Sequence, residues 1–469
     1  MKPKYHIQTY GCQMNVHDSE RMAGMLDDLG YEVTDAAETA DLILLNTCAV
    51  REKPEHKLYS ELGIFRKLKE NNPNLIIGVT GCMAQRDANE IRARVPEVDI
   101  LLGPRNIHHL PRLVNAHKST FTDKQGKSTF EPGLNLLSDP TPVTPVKRSS
   151  SVSAYVDVIF GCNFKCTYCA VPSARGREVS RNPQEVLDEI RQLNDLGYRE
   201  ITLLGQTVNA YGHDLEKLQD GSRIDFAWLL EAINDINPRL RIRFTSPHPM
   251  YFNNRLLDTI AALPSVCEHL HLPLQSGDND CLRRMKRTYT IEKYRNIIDN
   301  LREKIPGVAV TTDVIVGFCG ETDAEFANTL KAFGEIRFDL AFMFAYSPRH
   351  STVAGEWPDD VPADVKSRRL NELIAMQNDI SREINHDLAG NIFEVMVESV
   401  SDKSEALLFG RTRSNKMMLF EGDLETYPVG SLVRVHAREA LLRGFQGDAV
   451  EIASRPSPRR IMPLQMLSG

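Results

Sequence analysis

Apolar residues in the first part of the chain fall into short aliphatic blocks separated by longer polar stretches. That pattern predicts strands at His6–Tyr10, Leu42–Asn46, Leu75–Val79 and Asp99–Gly103. Asp18 is placed to N-cap a helix that stops near Gly30, and Lys53–Glu70 reads as a second, polar helix. Strands alternating with helices imply a parallel sheet with helices packed on it, here an α/β domain over residues 1–120. From Phe121 to Ser151 the periodicity vanishes. Gln125–Ser128, Pro140–Pro145 and Ser149–Ser151 have turn-forming composition, so 121–150 is expected to be a linker. Lys147 and Arg148 read as its solvated charge.

After the linker the alternation resumes, with strands at Tyr155–Phe160, Ile201–Leu204, Arg241–Thr245, His269–Leu272, Val308–Val316 and Leu340–Ala345. Helical patterns such as Gln184–Leu196 and Glu321–Phe333 lie between them. Six such units over 151–388 predict a partial (β/α)6 barrel or a large open sheet, with function at the carboxyl ends of the strands. Asp364–Leu388 carries an apolar stripe of Leu370, Leu373, Ile374 and Ile380, and Gly390 stops that helix. Short strands follow at Phe393–Val400, Ala406–Arg411, Lys416–Phe420, Leu432–His436 and Asp448–Ala453. They predict a small antiparallel β-barrel over 389–455, leaving 456–469 as a tail.

At 469 residues, two or three domains are expected. A net charge of −7 gives no global attraction to nucleic acid, so any RNA contact must come from a local basic patch. Met1–Cys12 has no apolar run resembling a signal peptide, and blocks such as Leu42–Leu45 are too short to span a bilayer. A cytoplasmic chain without membrane contact is the expectation. Nine cysteines in that setting bind metal or do chemistry more often than they form disulfides.

Cys162, Cys166 and Cys169 form Cys-x3-Cys-x2-Cys in one loop directly after a strand. Three thiolates can hold three irons of a [4Fe–4S] cube and leave the fourth open to a ligand. A zinc site would normally add a fourth protein ligand. Cys12, Cys48 and Cys82 are 36 and 34 residues apart, but each closely follows a predicted strand. A parallel sheet brings such loops to one edge, which favours a shared metal site over the competing reading of buried free thiols. Gly11 and Gly81 permit tight turns before two of them. Cys267 and Cys281 read as packing residues, and so does Cys319, although its Gly-rich turn could approach a cofactor.

Thr9–Asn15, Asp18–Glu20, Asn46–Glu52, Gly81–Gln85, Gly161–Cys169, Leu204–Gln206, His271–Gly277 and Ile315–Glu321 together resemble the methylthiotransferases of the radical S-adenosylmethionine (SAM) superfamily over nearly the whole chain. Gly410–Lys416 resembles the RNA-binding TRAM barrel. The residues around Cys12 and Cys48 are closest to the branch acting on N6-dimethylallyladenosine in tRNA. The resemblance implies two [4Fe–4S] clusters, one on Cys162, Cys166 and Cys169 and one on Cys12, Cys48 and Cys82. The first would bind SAM at its open iron and yield a 5′-deoxyadenosyl radical that takes hydrogen from C2 of the adenine. The second would deliver sulfur, methylated by a further SAM. Expected partners are a tRNA anticodon stem-loop, a flavodoxin- or ferredoxin-like electron donor and a sulfur source, acting on a monomer.

Tyr168, Gln206, Gln275, Arg175 and Arg177 are the candidate SAM contacts, with a packed ring as the alternative for Tyr168 and RNA phosphate or solvated surface for the two arginines. The terminal barrel has ten basic and ten acidic residues between Gly390 and Arg460, so only the run Arg411, Arg413 and Lys416 offers a phosphate-binding face. Family members often have proline where Cys319 stands, which puts the rigidity of that turn in question. Two rival readings remain: methylthiolation of another target (threonylcarbamoyl adenosine in tRNA or a ribosomal-protein aspartate), and a non-enzymatic iron–sulfur RNA-binding regulator.

Overall fold

The chain's first strands pair in parallel in the spatial order Glu32–Val33, Lys4–Thr9, Leu42–Thr47, Ile76–Gly81, Ile100–Leu102. A parallel sheet must be covered on both faces, which is why Leu42–Thr47 and Ile76–Gly81 are buried throughout. Leu58, Leu62 and Phe65 cover one face, while Met22, Leu26, Leu113 and Val114 cover the other. The computed structural model describes residues 2–48, 52–120, 144–217, 221–402 and 404–456. Most of the expected linker (121–143) and most of the expected tail (457–469) lie outside the described residues.

The first helix runs Gln13–Asp28, with Cys12 and not Asp18 at its N-cap. The Asn15 side chain accepts from the Cys12 amide at 3.4 Å, and the helix starts well before Asp18. Asp18 is instead buried in mid-helix, next to buried His17, Glu20 and Arg21. Charge on the inner face of a helix needs partners, and the middle of the chain supplies them. Arg148 pairs with Glu189 at 2.6 Å and lies 3.7 Å from Glu20, so it is not solvated charge. Lys147 pairs with Asp27 at 3.0 Å.

The middle of the chain forms two three-stranded parallel sheets. One orders Arg241–Phe244, Glu200–Leu204 and Ser153–Asp157; the other orders His269–His271, Ala309–Val316 and Leu340–Ala345. A parallel bridge, Ile242 to Val266, connects them into an open six-strand arc. The expected first strand breaks at Val158. Its second part, Ile159–Phe160, pairs antiparallel with Val179–Ser180 and clamps both ends of the intervening cysteine loop. Side-chain caps at Asn182, Asp225, Asn253, Thr290 and Thr322 start the covering helices.

Helix Ala363–Leu388 leads into a closed barrel of Ile392–Ser401, Ser404–Thr412, Met417–Glu421, Gly444–Ser454 and Leu432–Leu441. It is not wholly antiparallel: Met417–Glu421 pairs in parallel with Gly444–Ser454. Closure of five strands requires this, because an odd number cannot alternate direction all the way round.

The barrel docks at the amino-terminal ends of the core strands, using the residues expected to touch RNA. Arg411 reaches Glu200 at 2.9 Å and Glu398 at 2.6 Å. Arg413 binds Glu268 at 2.8 Å and the Pro264 and Val266 carbonyls. Lys416, its side chain 8% exposed, binds Asp339 at 2.6 Å and Asn385 at 2.9 Å. The three charges are engaged by the core, where carboxylates at the strand starts would otherwise be desolvated without partners.

Arg411→Ala should therefore lower stability in urea unfolding by roughly 1–3 kcal/mol, the usual result of leaving a buried acceptor short of a donor. Changing all three residues to Ala should leave the salt dependence of RNA binding unaltered. A log–log salt slope reduced by about three units would place them on phosphates instead.

Candidate metal centres

The loop holding Cys162, Cys166 and Cys169 is pinned from several sides. Gly161 takes φ +76° with its α-carbon against the Arg177 carbonyl, where a Cβ would collide with backbone. The Cys162 amide donates to Gly176 O at 3.0 Å. At mid-loop the Thr167 amide donates to Met285 O at 3.1 Å, its hydroxyl to Arg284 O at 2.9 Å, and its carbonyl accepts from Ala354 N at 2.8 Å.

Each thiol has a polar neighbour: Thr207 Oγ1 is 3.3 Å from Cys162 Sγ, Arg287 donates to Cys166 Sγ at 3.2 Å, and Val171 N donates to Cys169 Sγ at 3.4 Å. Burial pushes the Cys169 thiol up to about 12, with the charges of Cys166 and Cys162 adding to the rise. Burial also raises Cys162. Three close, desolvated thiolates repel one another, so this donor set fits a cationic cluster core, which reverses the local preference for the thiol form. Among the described residues, no three His, Cys, Asp or Glu side chains converge as one metal ion requires. A cube places an iron at each corner and asks for ligands spread around it.

The candidate SAM contacts separate into two groups. Gln206 Oε1 accepts from the Gly161 amide, while its buried Nε2 has no partner among the described residues. Gln275 is buried at φ +70°, its amide on Asp313 O and its carbonyl on Ile315 N. Tyr168 packs edge-on to Phe318, and burial pushes its phenol well up. Gln206 and Tyr168 thus lie at the cluster loop, and Gln275 lies against Ala309–Val316. Arg177 is exposed, and Arg175 points elsewhere.

Sequence reasoning missed Arg287 and His248. Phe164, within the loop, stacks on the buried His248 ring at 3.8 Å. Burial holds that imidazole down at about 2, helped by the charges of Arg287 and Lys293. Nδ1 accepts from Met250 N, so the neutral ring carries its proton on Nε2, which is buried without a partner among the described residues. Only the basic run Arg283–Arg287 could have hinted at Arg287, and no spacing marked His248.

The Cys319 turn is held by hydrogen bonds in place of a proline ring. Glu321 Oε2 accepts from Gly317 N at 2.6 Å and from Arg369 at 2.9 Å, and Gly320 N donates to Asp360 at 2.7 Å. The Cys319 thiol packs with Cys281, Met285, Phe318 and Tyr346.

Cys12, Cys48 and Cys82 meet at the carboxyl edge of the first sheet. A Cβ on Gly11 would lie 2.7 Å from Cys48 Cβ, and one on Gly81 would strike the Thr47 carbonyl, so both turns need glycine to bring the loops together. Beneath them Asn46 donates to Asn15 O at 2.7 Å and to Ser19 at 2.9 Å, while Asn15 donates back to Asn46 at 3.1 Å. Cys12 N-caps one helix and Cys82 opens another, Cys82–Arg86, where backbone amides favour negative charge. A hydrogen bond from Cys48 lowers the Cys12 thiol to about 6, and Arg175 and the Asn15 and Met14 amides reinforce this against desolvation. Burial raises Cys82, with Arg175 opposing.

Arg175 thus belongs to this second site. It donates to Asp18 at 2.8 Å, and both side chains are buried. Helix Val171–Arg175 carries this expected SAM contact onto the amino-terminal domain.

Residues 4–103 match the Uncharacterized protein family UPF0004, and residues 156–333 match the Radical SAM superfamily. The chain is 45% identical to a tRNA-2-methylthio-N(6)-dimethylallyladenosine synthase of Thermoanaerobacter pseudethanolicus over 96% of its length and 93% of that protein. It is 44% identical to the synthase of the same name from Carboxydothermus hydrogenoformans, over 94% and 98%. Among solved structures, the radical S-adenosylmethionine methyltransferase TsrM from Kitasatospora setae aligns with a TM-score of 0.54 at 16% identity, covering 76% of this chain and 75% of that one. That likeness concerns the fold alone.

Gly161→Ala should displace the clamped loop without touching the other site. About half of the bound iron should be lost, the share of one cluster of two. Iron analysis of the reconstituted variant measures this, and undiminished iron would mean the loop tolerates the Cβ.

Proposed function

The chain belongs to the family of tRNA-2-methylthio-N(6)-dimethylallyladenosine synthases, and we propose that it adds a methylthio group to C2 of N6-dimethylallyladenosine next to the anticodon in tRNA. It is a radical SAM enzyme that transfers a sulfur-containing group and uses SAM and [4Fe–4S] clusters. The observation that carries the reading is the presence of two separate three-cysteine sites, one at the carboxyl ends of the first sheet's parallel strands and one in the loop clamped by Ile159–Phe160 and Val179–Ser180, with a helix running from one to the other. The bound cofactors supply the radical chemistry that opens an unactivated aromatic C–H bond and the sulfur that replaces the hydrogen.

The protein's part is to hold and orient. Cys162, Cys166 and Cys169 hold the SAM-binding cluster. The unpaired donors Gln206 Nε2 and His248 Nε2 suit a ligand rich in acceptor oxygens, as SAM is. Cys12, Cys48 and Cys82 hold the sulfur-delivering cluster.

The adenine fits the inner face of the second core sheet. On Leu340–Ala345, Ala341 and Met343 pack into the helix-covered core, whereas Phe342 and Phe344 on the opposite face are 46% and 36% exposed. Their register partners are Asp313 and Ile315. Asp313 lies 3.3 Å from His271, whose ring touches Phe342. Two aromatic faces suit a base and its prenyl tail, and a carboxylate can accept the single N6–H. An electron donor of the flavodoxin or ferredoxin kind supplies reductant. A sulfur source is also needed, and a monomer in the cytoplasm, where tRNA is found, suffices. Among the described residues no helix is long and apolar enough to cross a membrane.

Nucleoside mass spectrometry on tRNA from a deletion strain tests the reaction: the 2-methylthio form should vanish and dimethylallyladenosine accumulate, while an unchanged profile defeats the reading. Replacing Cys162, Cys166 and Cys169 by Ala should abolish SAM cleavage. Replacing Cys12, Cys48 and Cys82 should spare cleavage and stop thiolation.

Phe344→Ala should raise KM for the tRNA roughly ten-fold, the worth of about 1–2 kcal/mol of lost stacking, without altering SAM cleavage in the absence of RNA. An unchanged KM in steady-state assays would remove the base from this face.

A further inference from the structure

Arg175 follows the Cys162–Cys169 loop in sequence, yet its guanidinium completes the other cysteine site. Helix Val171–Arg175 packs on helix Cys82–Arg86, and Ala174 shares an apolar cluster with Cys82, Met83 and Ala84. This packing delivers Arg175 to Asp18 at 2.8 Å, next to the cysteines, where its positive charge favours the thiolate of both Cys82 and Cys12. The side chains of Arg175 and Asp18 are 6% and 2% exposed.

A cube held by three thiolates keeps a net negative charge even when oxidised, and one-electron reduction adds another. Buried Asp18 adds to the anionic surroundings, although burial raises its carboxyl against the pull of Arg175. Surplus negative charge in a desolvated pocket requires a cation close by. Nearby Arg21 donates to Thr144 and Arg105 to the Arg177 carbonyl, whereas Arg175 is held by Asp18 on a helix packed against the one that Cys82 opens.

We propose that Arg175 is the counter-ion of the Cys12/Cys48/Cys82 cluster, supplied across the domain boundary by the SAM-binding domain, and that it sets this cluster's reduction potential. Arg175 is a positioning and tuning residue, not a catalytic one. The two domains are thereby made interdependent, since undocking them would strip the second cluster of its compensating charge. The inference rests on the reading that these three cysteines hold a cluster.

The test is an EPR-monitored redox titration of the reconstituted full-length protein with dithionite and mediators, comparing wild type, Arg175→Lys and Arg175→Met. Loss of the cation makes adding an electron harder. In Arg175→Met the second cluster should therefore shift to lower potential while the Cys162/Cys166/Cys169 cluster keeps its own, and Arg175→Lys should stay near wild type. If Arg175→Met loses the second cluster and Arg175→Lys retains it, the counter-ion role is also upheld. An unmoved potential in Arg175→Met, or equal loss of the cluster in both variants, overturns it, because charge would then not be what matters. Wild-type protein with iron for one cluster only would instead overturn the underlying reading of the cysteines.

Discussion

Everything at the two cysteine sites depends on a buried layer of charge between helix Gln13–Asp28 and the core sheet. Five successive polar side chains on that helix, His17, Asp18, Ser19, Glu20 and Arg21, are buried. Asp18 meets Arg175, His17 lies 3.5 Å from Asp157, and Glu20 accepts from the Ser149 amide at 2.8 Å and hydroxyl at 2.5 Å. Such pairs contribute little net stability, because desolvation offsets most of their attraction. Their effect is on geometry. Sliding or rotating one domain against the other would leave several ions buried and unpaired, so only one docking is tolerated.

That single docking sets what the strand ends can do. A parallel sheet exposes loops at its carboxyl edge, and each domain uses that edge for cysteines. One sheet alone provides one site. Two sheets locked together provide two sites at a fixed separation, with Val171–Arg175 running between them. A reaction that needs radical generation and sulfur delivery at one carbon requires such fixed spacing, since misplacement by even an ångström is costly.

Local chemistry was legible in the sequence. The Cys-x3-Cys-x2-Cys loop is self-contained, and Cys12, Cys48 and Cys82 could be joined because strand ends follow from short aliphatic blocks. Long-range charge was not legible. Arg148 looked like linker, Arg175 like a SAM contact and Arg411 like an RNA contact, since a charged side chain is the same in sequence whether it faces solvent or a carboxylate far along the chain. Their partners Glu189, Asp18 and Glu200 are 41, 157 and 211 residues away. Asp18 misled for a related reason: a capping residue and a buried ion-pair partner are both short acids near a helix start.

The same rule acts at the opposite end of the core. The strand starts there carry Glu200, Arg241, Glu268 and Asp339, and Arg241 and Arg243 reach the terminal barrel through Glu394 and the Thr412 and Arg413 carbonyls. Glu200 is 1% exposed and accepts from both Arg243 and Arg411, so neither arginine can turn outward without stranding it. The barrel is therefore built in as the floor of the core, with its densest basic run committed to holding it there. Exposed barrel arginines such as Arg434 and Arg438 pair only with exposed Glu451 and Asp448. Pairs of that kind are weak and readily exchange a carboxylate for a phosphate. Charge density along the sequence is thus a poor guide to an RNA surface here, and the strength of each cation's existing partner is the better one.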